Sequence, residues 1–176
     1  MDSDIKCLFL GDDFPNLDVQ TQKGDFKLHE YQGDSWLIFF SHPRDFTPVC
    51  TTELGRVAKL MPEFEKRNTK VIALSCDSVE DHIKWIKDIN ETQETNVDFP
   101  IIADPEFKLA KQIGMYHPRC ETKITVRTTY IIDPLKKVKL MIQYPPSTGR
   151  NFNEIIRVLD SLQLTFTKSV ATPENW

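Results

Sequence analysis

Cys50 is the residue of this chain best placed to do chemistry. It follows Pro48 and Val49 and opens a stretch in which Leu54, Val57, Ala58, Met61 and Phe64 recur at helical spacing. Its sulfur is therefore expected beside the unpaired N–H groups and the positive dipole end of a helix N-terminus. An unperturbed thiol is only about 3% ionised at pH 7, and helix N-termini and nearby cations are what convert it into a nucleophilic thiolate. Thr47 lies one turn earlier, where its hydroxyl can cap the helix or hold a small reactant against the sulfur. Pro43 and Pro48 fix φ and restrict the residues before them, which makes either a rigid, water-excluding loop or simple loop punctuation. His42 heads the loop, with an imidazole that either orients a reactant or is satisfied by backbone. Without this context, a lone cysteine is as readily a small buried apolar residue.

The elements that must position these groups alternate between strand and helix, the pattern of an α/β domain with a central mixed sheet flanked by helices. Residues 36–40 (WLIFF) and 70–76 (KVIALSC) read as central strands buried on both faces, so Cys50 falls at a strand-to-helix junction. Pro62 marks a kink or restart in the intervening helix. Ser78 with Asp81 reads as a capping box opening a helix whose inner face is Val79, Ile83, Ile86 and Ile89. Residues 98–104 read as a strand and 105–113 as a short helix. Residues 124–133 and 138–144 read as an antiparallel pair joined by a turn. Asn151 and Glu154 form a second capping box before Phe152, Ile155, Ile156, Leu159 and Leu162. Residues 1–164 are read as one domain and 165–176 as an extended arm.

Composition sets the outer limits. A chain of 176 residues with 40% hydrophobic and 27% charged positions makes one globular domain with a core that needs neither disulfide nor metal. A formal net charge of −4 gives no broad positive field for nucleic acid or anionic membrane. The N-terminus is acidic where a signal peptide is basic, and no apolar run approaches the ~20 residues of a membrane helix. A cytoplasmic, reducing setting is the expectation. There Cys7, Cys50, Cys76 and Cys120 start as free thiols, with no CxxC pair and no zinc-finger spacing.

Pro43, Thr47 and Cys50 stand in the spacing P-x-x-x-T-x-x-C, flanked by His42 and Arg44, and this resembles the active-site motif of the peroxiredoxins. The wider text GDSWLIFFSHPRDFTPVCTTELGRVAKL is similar to the 1-Cys branch. The similarity continues through ALSCDSVEDHIKW, YPPSTGRNF and SLQLTFTKSVATPENW, and so covers essentially the whole chain. The resemblance implies a thioredoxin-like fold and a thiol-dependent peroxidase, with no cofactor and no metal. Hydrogen peroxide and organic hydroperoxides would oxidise Cys50 to a sulfenic acid, and an external thiol, glutathione or a thioredoxin-like protein, would resolve it. It also implies a homodimer and a further segment beyond residue 176.

Within that resemblance Thr47 bonds the incoming peroxide, and Arg127, in TVRTTYIID, lies opposite the cysteine. An arginine beside Val126 and Ile131 is costly to bury unless it meets an anion; otherwise it is an edge-strand residue facing water. Cys7 and Cys76 read as core residues, whereas Cys120, in the polar loop HPRCETK, is either a resolving thiol or a surface one. Some relatives are credited with a phospholipase built on a GDSWG serine, a histidine and an aspartate. Here Ser35 and His29 are present, but Leu135 occupies the aspartate position and Asp133 is two residues away, which favours a structural turn. The reading from a different class is a redox-sensing or holdase-type binding module on the same scaffold, for which neither Thr47 nor Arg127 is needed.

Overall fold

The structure is a computed structural model that describes residues 6–120 and 122–176. Among the described residues seven strands form one mixed sheet in the order β2-β1-β5-β4-β3-β6-β7, and five helices accompany it. The centre is β3 (Trp36–Ser41) parallel to β4 (Thr69–Ser75), which is in turn parallel to β5 (Ile101–Ala103). On the other side β3 pairs antiparallel with β6 (Arg127–Ile132), and β6 with the edge strand β7 (Val138–Tyr144). This is the thioredoxin-like, mixed-sheet arrangement expected from the alternating pattern.

Every residue of β3 is buried, and its alternation supplies two cores at once. Trp36, Ile38 and Phe40 face one layer, while Leu37 and Phe39 face the other. The first layer is closed by α2 (Pro48–Glu65), α3 (Val79–Thr92) and α5 (Phe152–Thr167). The second is closed by α1 (Leu28–Gln32) and α4 (Lys108–Gln112). Each fully buried large side chain contributes about 1.5–3 kcal/mol, so this continuous apolar strand anchors the fold and fixes where the loop after it must emerge.

Several boundaries differ from the sequence reading. A hairpin of β1 (Asp18–Thr21) and β2 (Gly24–Lys27), short and half-exposed, precedes α1 and carries no strong apolar alternation to announce it. Helix α2 runs through Pro62 without restarting; the proline falls in its last turn, so the bond its missing N–H forgoes lies close to the helix end. Helix α5 continues to Thr167, three residues into the segment read as an arm, because Phe166 packs edge-on to Trp36 at 5.4 Å. The inner face of α3 is His82, Trp85 and Ile89, and Ile83 is 44% exposed. The helix is turned relative to its aliphatic pattern because the buried histidine has partners in the interior. Cys7 is exposed, as are Phe9 and Leu10, so of the N-terminal apolar run Leu8 alone packs against the core. Cys76 lies one residue past β4 and is only half-buried.

Candidate active site

The loop between β3 and α2 carries Pro43 and Thr47, and the first turn of α2 carries Cys50. Thr47 occupies the N-cap position of α2 with extended backbone angles, and Pro48 opens the first turn, where its missing N–H is no loss. No acidic side chain occupies that turn, so nothing offsets the positive end of the helix around Cys50. Thr47 does not cap with its side chain: its hydroxyl donates to Arg44 O at 2.9 Å. That bond uses its hydrogen and leaves its lone pairs to accept one. Just before it, Phe46 adopts φ 58°, a left-handed conformation that costs a bulky residue about 1–3 kcal/mol and survives only where neighbours over-determine the loop.

Cys50 is fully buried, and Arg127 Nη1 donates to its sulfur at 3.3 Å. Arg127 is 2% exposed at the start of β6, which settles the sequence alternative in favour of a buried residue. Its other N–H groups are held: Nε and Nη2 donate to Pro146 O at 2.9 and 2.7 Å, and Nη1 also donates to Glu53 Oε2 at 2.7 Å. Glu53 receives a second arginine as well. The amide and Nε of Arg150 donate to Oε1 at 2.7 and 2.9 Å, and Nη2 donates to Oε2 at 2.8 Å. The side chains of this Arg127–Glu53–Arg150 set are only 2–3% exposed. Burial alone would raise the Glu53 carboxyl, but the hydrogen bonds and charge of Arg150, with Arg127 behind it, hold it below the usual carboxylate range.

Two arginines against one carboxylate leave a surplus positive charge, and a thiolate at Cys50 is the anion positioned to balance it. Neither Glu53 nor Arg150 was singled out from the sequence. The available signal was elementary accounting, since a buried arginine requires a carboxylate and Glu53 stands one turn after Cys50 in CTTEL. A cavity of about 600 Å³ is lined by Arg127, Thr47, Val49 and Pro146, and Arg127 links it to the buried sulfur. Pro43, Arg44 and Lys123 line it as well.

His42 is buried behind this loop, with Nε2 2.7 Å from Asp45 Oδ1 and Nδ1 without a partner among the described residues. Burial pushes its imidazole pKa down, against the pull of Asp45. His42, Asp45 and Asp77 bring three ligand-type atoms within 4.8 Å of one another. These residues are engaged in a hydrogen-bond network, because Asp45 N and Ser75 Oγ both donate to Asp77 Oδ2, at 2.9 and 2.8 Å. That network accounts for the grouping.

None of the remaining thiols is bonded to Cys50. All four cysteines are free, and Cys120 is half-buried with its sulfur 3.6 Å from Thr122 Oγ1. Ser35 and His29 are not paired either. The Ser35 hydroxyl donates to Asn68 Oδ1 at 2.9 Å, the His29 ring lies on Phe14 O at 2.8 Å, and Asp133 Oδ1 accepts the Lys137 amide at 2.9 Å. A serine nucleophile needs its base within hydrogen-bond reach, and each of these three residues is bonded to a different partner instead.

The sequence profile of the AhpC/TSA family matches residues 10–141. The chain belongs to that family, among its 1-Cys peroxiredoxins. It is 54% identical over 169 residues to the 1-Cys peroxiredoxin of Dictyostelium discoideum, covering 96% of this chain and 70% of the relative. It is 56% identical over 177 residues to peroxiredoxin-6 of Gallus gallus, covering 96% and 79%. Among solved structures, a mutant of the peroxiredoxin 6 of Arenicola marina superposes with a TM-score of 0.91 at 51% identity, covering 96% of this chain and 80% of that one. A yeast mitochondrial 1-Cys peroxiredoxin, described with a thiol resolving mechanism via glutathione/thioredoxin systems, superposes with a TM-score of 0.91 at 47% identity, covering 96% and 83%. A 1-Cys peroxiredoxin is a thiol peroxidase, and the binding-module alternative is not favoured.

Proposed function

We propose that Cys50 is the peroxidatic nucleophile and that Thr47 and Arg127 are its catalytic partners, with Pro43 shaping the loop. The observation that carries this reading is the Arg127 N–H held on the Cys50 sulfur at 3.3 Å, inside a buried set whose positive charge exceeds its negative charge by one. The thiolate attacks one oxygen of the hydroperoxide, the S–O bond forms as the O–O bond breaks, and the departing alkoxide or hydroxide takes a proton to leave as alcohol or water. Thr47, whose hydrogen is committed to Arg44 O, accepts the peroxide O–H and aligns it, while Arg127 supplies a donor at the reacting atoms. His42 acts at one remove, through Asp45.

Cys50 is returned to the thiol by an external thiol, glutathione or a thioredoxin-like protein. That thiol condenses with the sulfenic acid to a mixed disulfide and water, and a second thiol then cleaves the disulfide. Four free cysteines fit a reducing, cytoplasmic setting. A homodimer is supported by the open edge of β7, where Leu140 and Ile142 are only partly buried. Sedimentation at micromolar concentration should then give twice 20.4 kDa.

The test is rapid mixing of reduced protein with stoichiometric hydrogen peroxide, followed by intact mass and a sulfenic-acid trap mapped to each cysteine. One oxygen atom added at Cys50, with no intramolecular disulfide and no turnover in Cys50→Ser, is the expected result. A Cys50–Cys120 disulfide would replace the external-thiol reading with a self-resolving one. Full activity in Cys50→Ser would overturn the assignment.

A further inference from the structure

Helix α3 reaches the active-site loop through a residue that the peroxidase chemistry does not use. His82 is fully buried, with Nδ1 2.6 Å from Asp45 Oδ2 and Nε2 3.2 Å from Ile102 O at β5. Of these two contacts the one to the Asp45 carboxylate is the shorter, and Nδ1 is its donor. Asp45 is thereby gripped on three sides: His82 on Oδ2, His42 Nε2 on Oδ1, and Asp77, two residues past β4, on its backbone amide. Nδ1 of His42 has no partner among the described residues, so its one ring hydrogen bond is the one to Asp45. Asp45 directly precedes Phe46, the residue forced into the left-handed region, and Phe46 directly precedes Thr47.

We propose that His82 is a positioning residue for peroxide reduction: its Nδ1–H, donated to Asp45, locks the strained loop that places Thr47 and Cys50. The strain at Phe46 needs a grip of this kind, and Asp45 is the adjacent residue that has one. One turn along the same helix, Trp85 reinforces the arrangement by donating its indole N–H to Thr51 Oγ1 at 3.1 Å, in the first turn of α2. Thus α3 holds both ends of the segment, Asp45 before Cys50 and Thr51 after it.

This inference rests on the peroxidase reading, and its test separates the two. His82→Asn places an amide N–H near the Nδ1 position and keeps the bond to Asp45; His82→Gln reaches toward Ile102 O and drops it. Two readouts are taken on each variant and on the parent protein: the second-order rate of Cys50 oxidation by hydrogen peroxide, and the pH profile of Cys50 alkylation by iodoacetamide, which needs no peroxidase activity. The expected result is a loss of roughly tenfold to a hundredfold in the oxidation rate for His82→Gln, with a displaced alkylation profile, and recovery of most of the rate in His82→Asn. Equal losses in both variants would reduce His82 to core packing, and unchanged readouts in both would remove it from the mechanism; either overturns the proposal. A parent protein that fails to react with peroxide sinks the peroxidase reading alone, because the alkylation contrast still reports on the loop.

Discussion

Two buried charge clusters flank the peroxidatic loop, and they are built from different bases. On the β6 side, Glu53 is held between Arg127 and Arg150; on the α3 side, Asp45 is held between His42 and His82. Guanidinium groups keep their charge throughout the accessible pH range, so the first cluster presents a fixed positive surplus to the sulfur. The second is built on imidazoles, which hold the carboxylate by hydrogen bonds and reach the sulfur only through backbone. The contrast separates two tasks that a reactive cysteine imposes: charge placed against the reacting atoms, and geometry imposed on the loop that carries them.

The harshest way to break the comparison is Glu53→Ala, which strands two buried arginines. A loss of about 3–5 kcal/mol is expected, read by urea denaturation, because an unpaired buried charge has no water to turn to. Next comes Arg127→Ala. Glu53 keeps Arg150, the fold survives, and the peroxide step measured in a single turnover should slow about 100- to 1,000-fold, as when one preorganised donor is removed. Recovery of the rate in Arg127→Lys would show that charge without the planar fork suffices.

The pH dependence sharpens the contrast further. Burial would raise the Asp45 carboxyl, but its hydrogen bonds to His42 and His82 bring it to about 2, below its ordinary 3.8. A carboxyl lowered in the folded state gives stability that is present above its unfolded pKa and is lost as pH falls through the folded one. This part of the stability should therefore disappear between pH 3.8 and about 2. His42 is also lowered, chiefly by burial, so the unfolded chain takes up a proton below pH 6.5 that the folded one resists. Stability should accordingly begin to decline below pH 6.5, by up to about 1.4 kcal/mol per pH unit, well before the carboxylates contribute. In His42→Gln, which keeps a donor toward Asp45 but does not titrate, this first decline should vanish while the lower one remains. The two shifts describe one state: an anionic Asp45 receiving a hydrogen from a neutral His42. The smallest effect expected is that of Ser78→Ala. Its hydroxyl accepts the Asp81 amide at 3.2 Å and fixes the start of the helix that carries His82, so about 1 kcal/mol should be lost with little change in the peroxide rate.

The same contrast marks what was legible from residues alone. Cys50, Thr47 and Pro43 sit within eight residues, and local spacing sufficed to group them; Arg127 came only with the family likeness, and its burial was left open. Central strands were legible because β3 and β4 are unbroken apolar runs, and the caps at Ser78 and Asn151 form as their spacing implied. Glu53 and Arg150 were not legible, because the pairing of a second-turn glutamate with an arginine 97 residues away is created by the fold. The face of α3 was misjudged for the same reason. Aliphatic periodicity favours Ile83, but the interior position went to His82, whose partners come from a loop and a strand that helical spacing cannot see. Polar residues taken inward by remote partners defeat periodicity, and they concentrate beside the chemistry.

Trp85 makes the loop visible to light. Its fully buried indole lies 5.0 Å, centroid to centroid, from the His42 ring while its N–H rests on Thr51, so its emission samples both ends of the segment around Cys50. Trp36 is packed against Phe166 at the far end of β3, and Trp176 is 44% exposed. A fluorescence change that follows peroxide addition and survives replacement of Trp36 and Trp176 by phenylalanine would therefore record, in real time and without a label, the loop's response to oxidation of its sulfur.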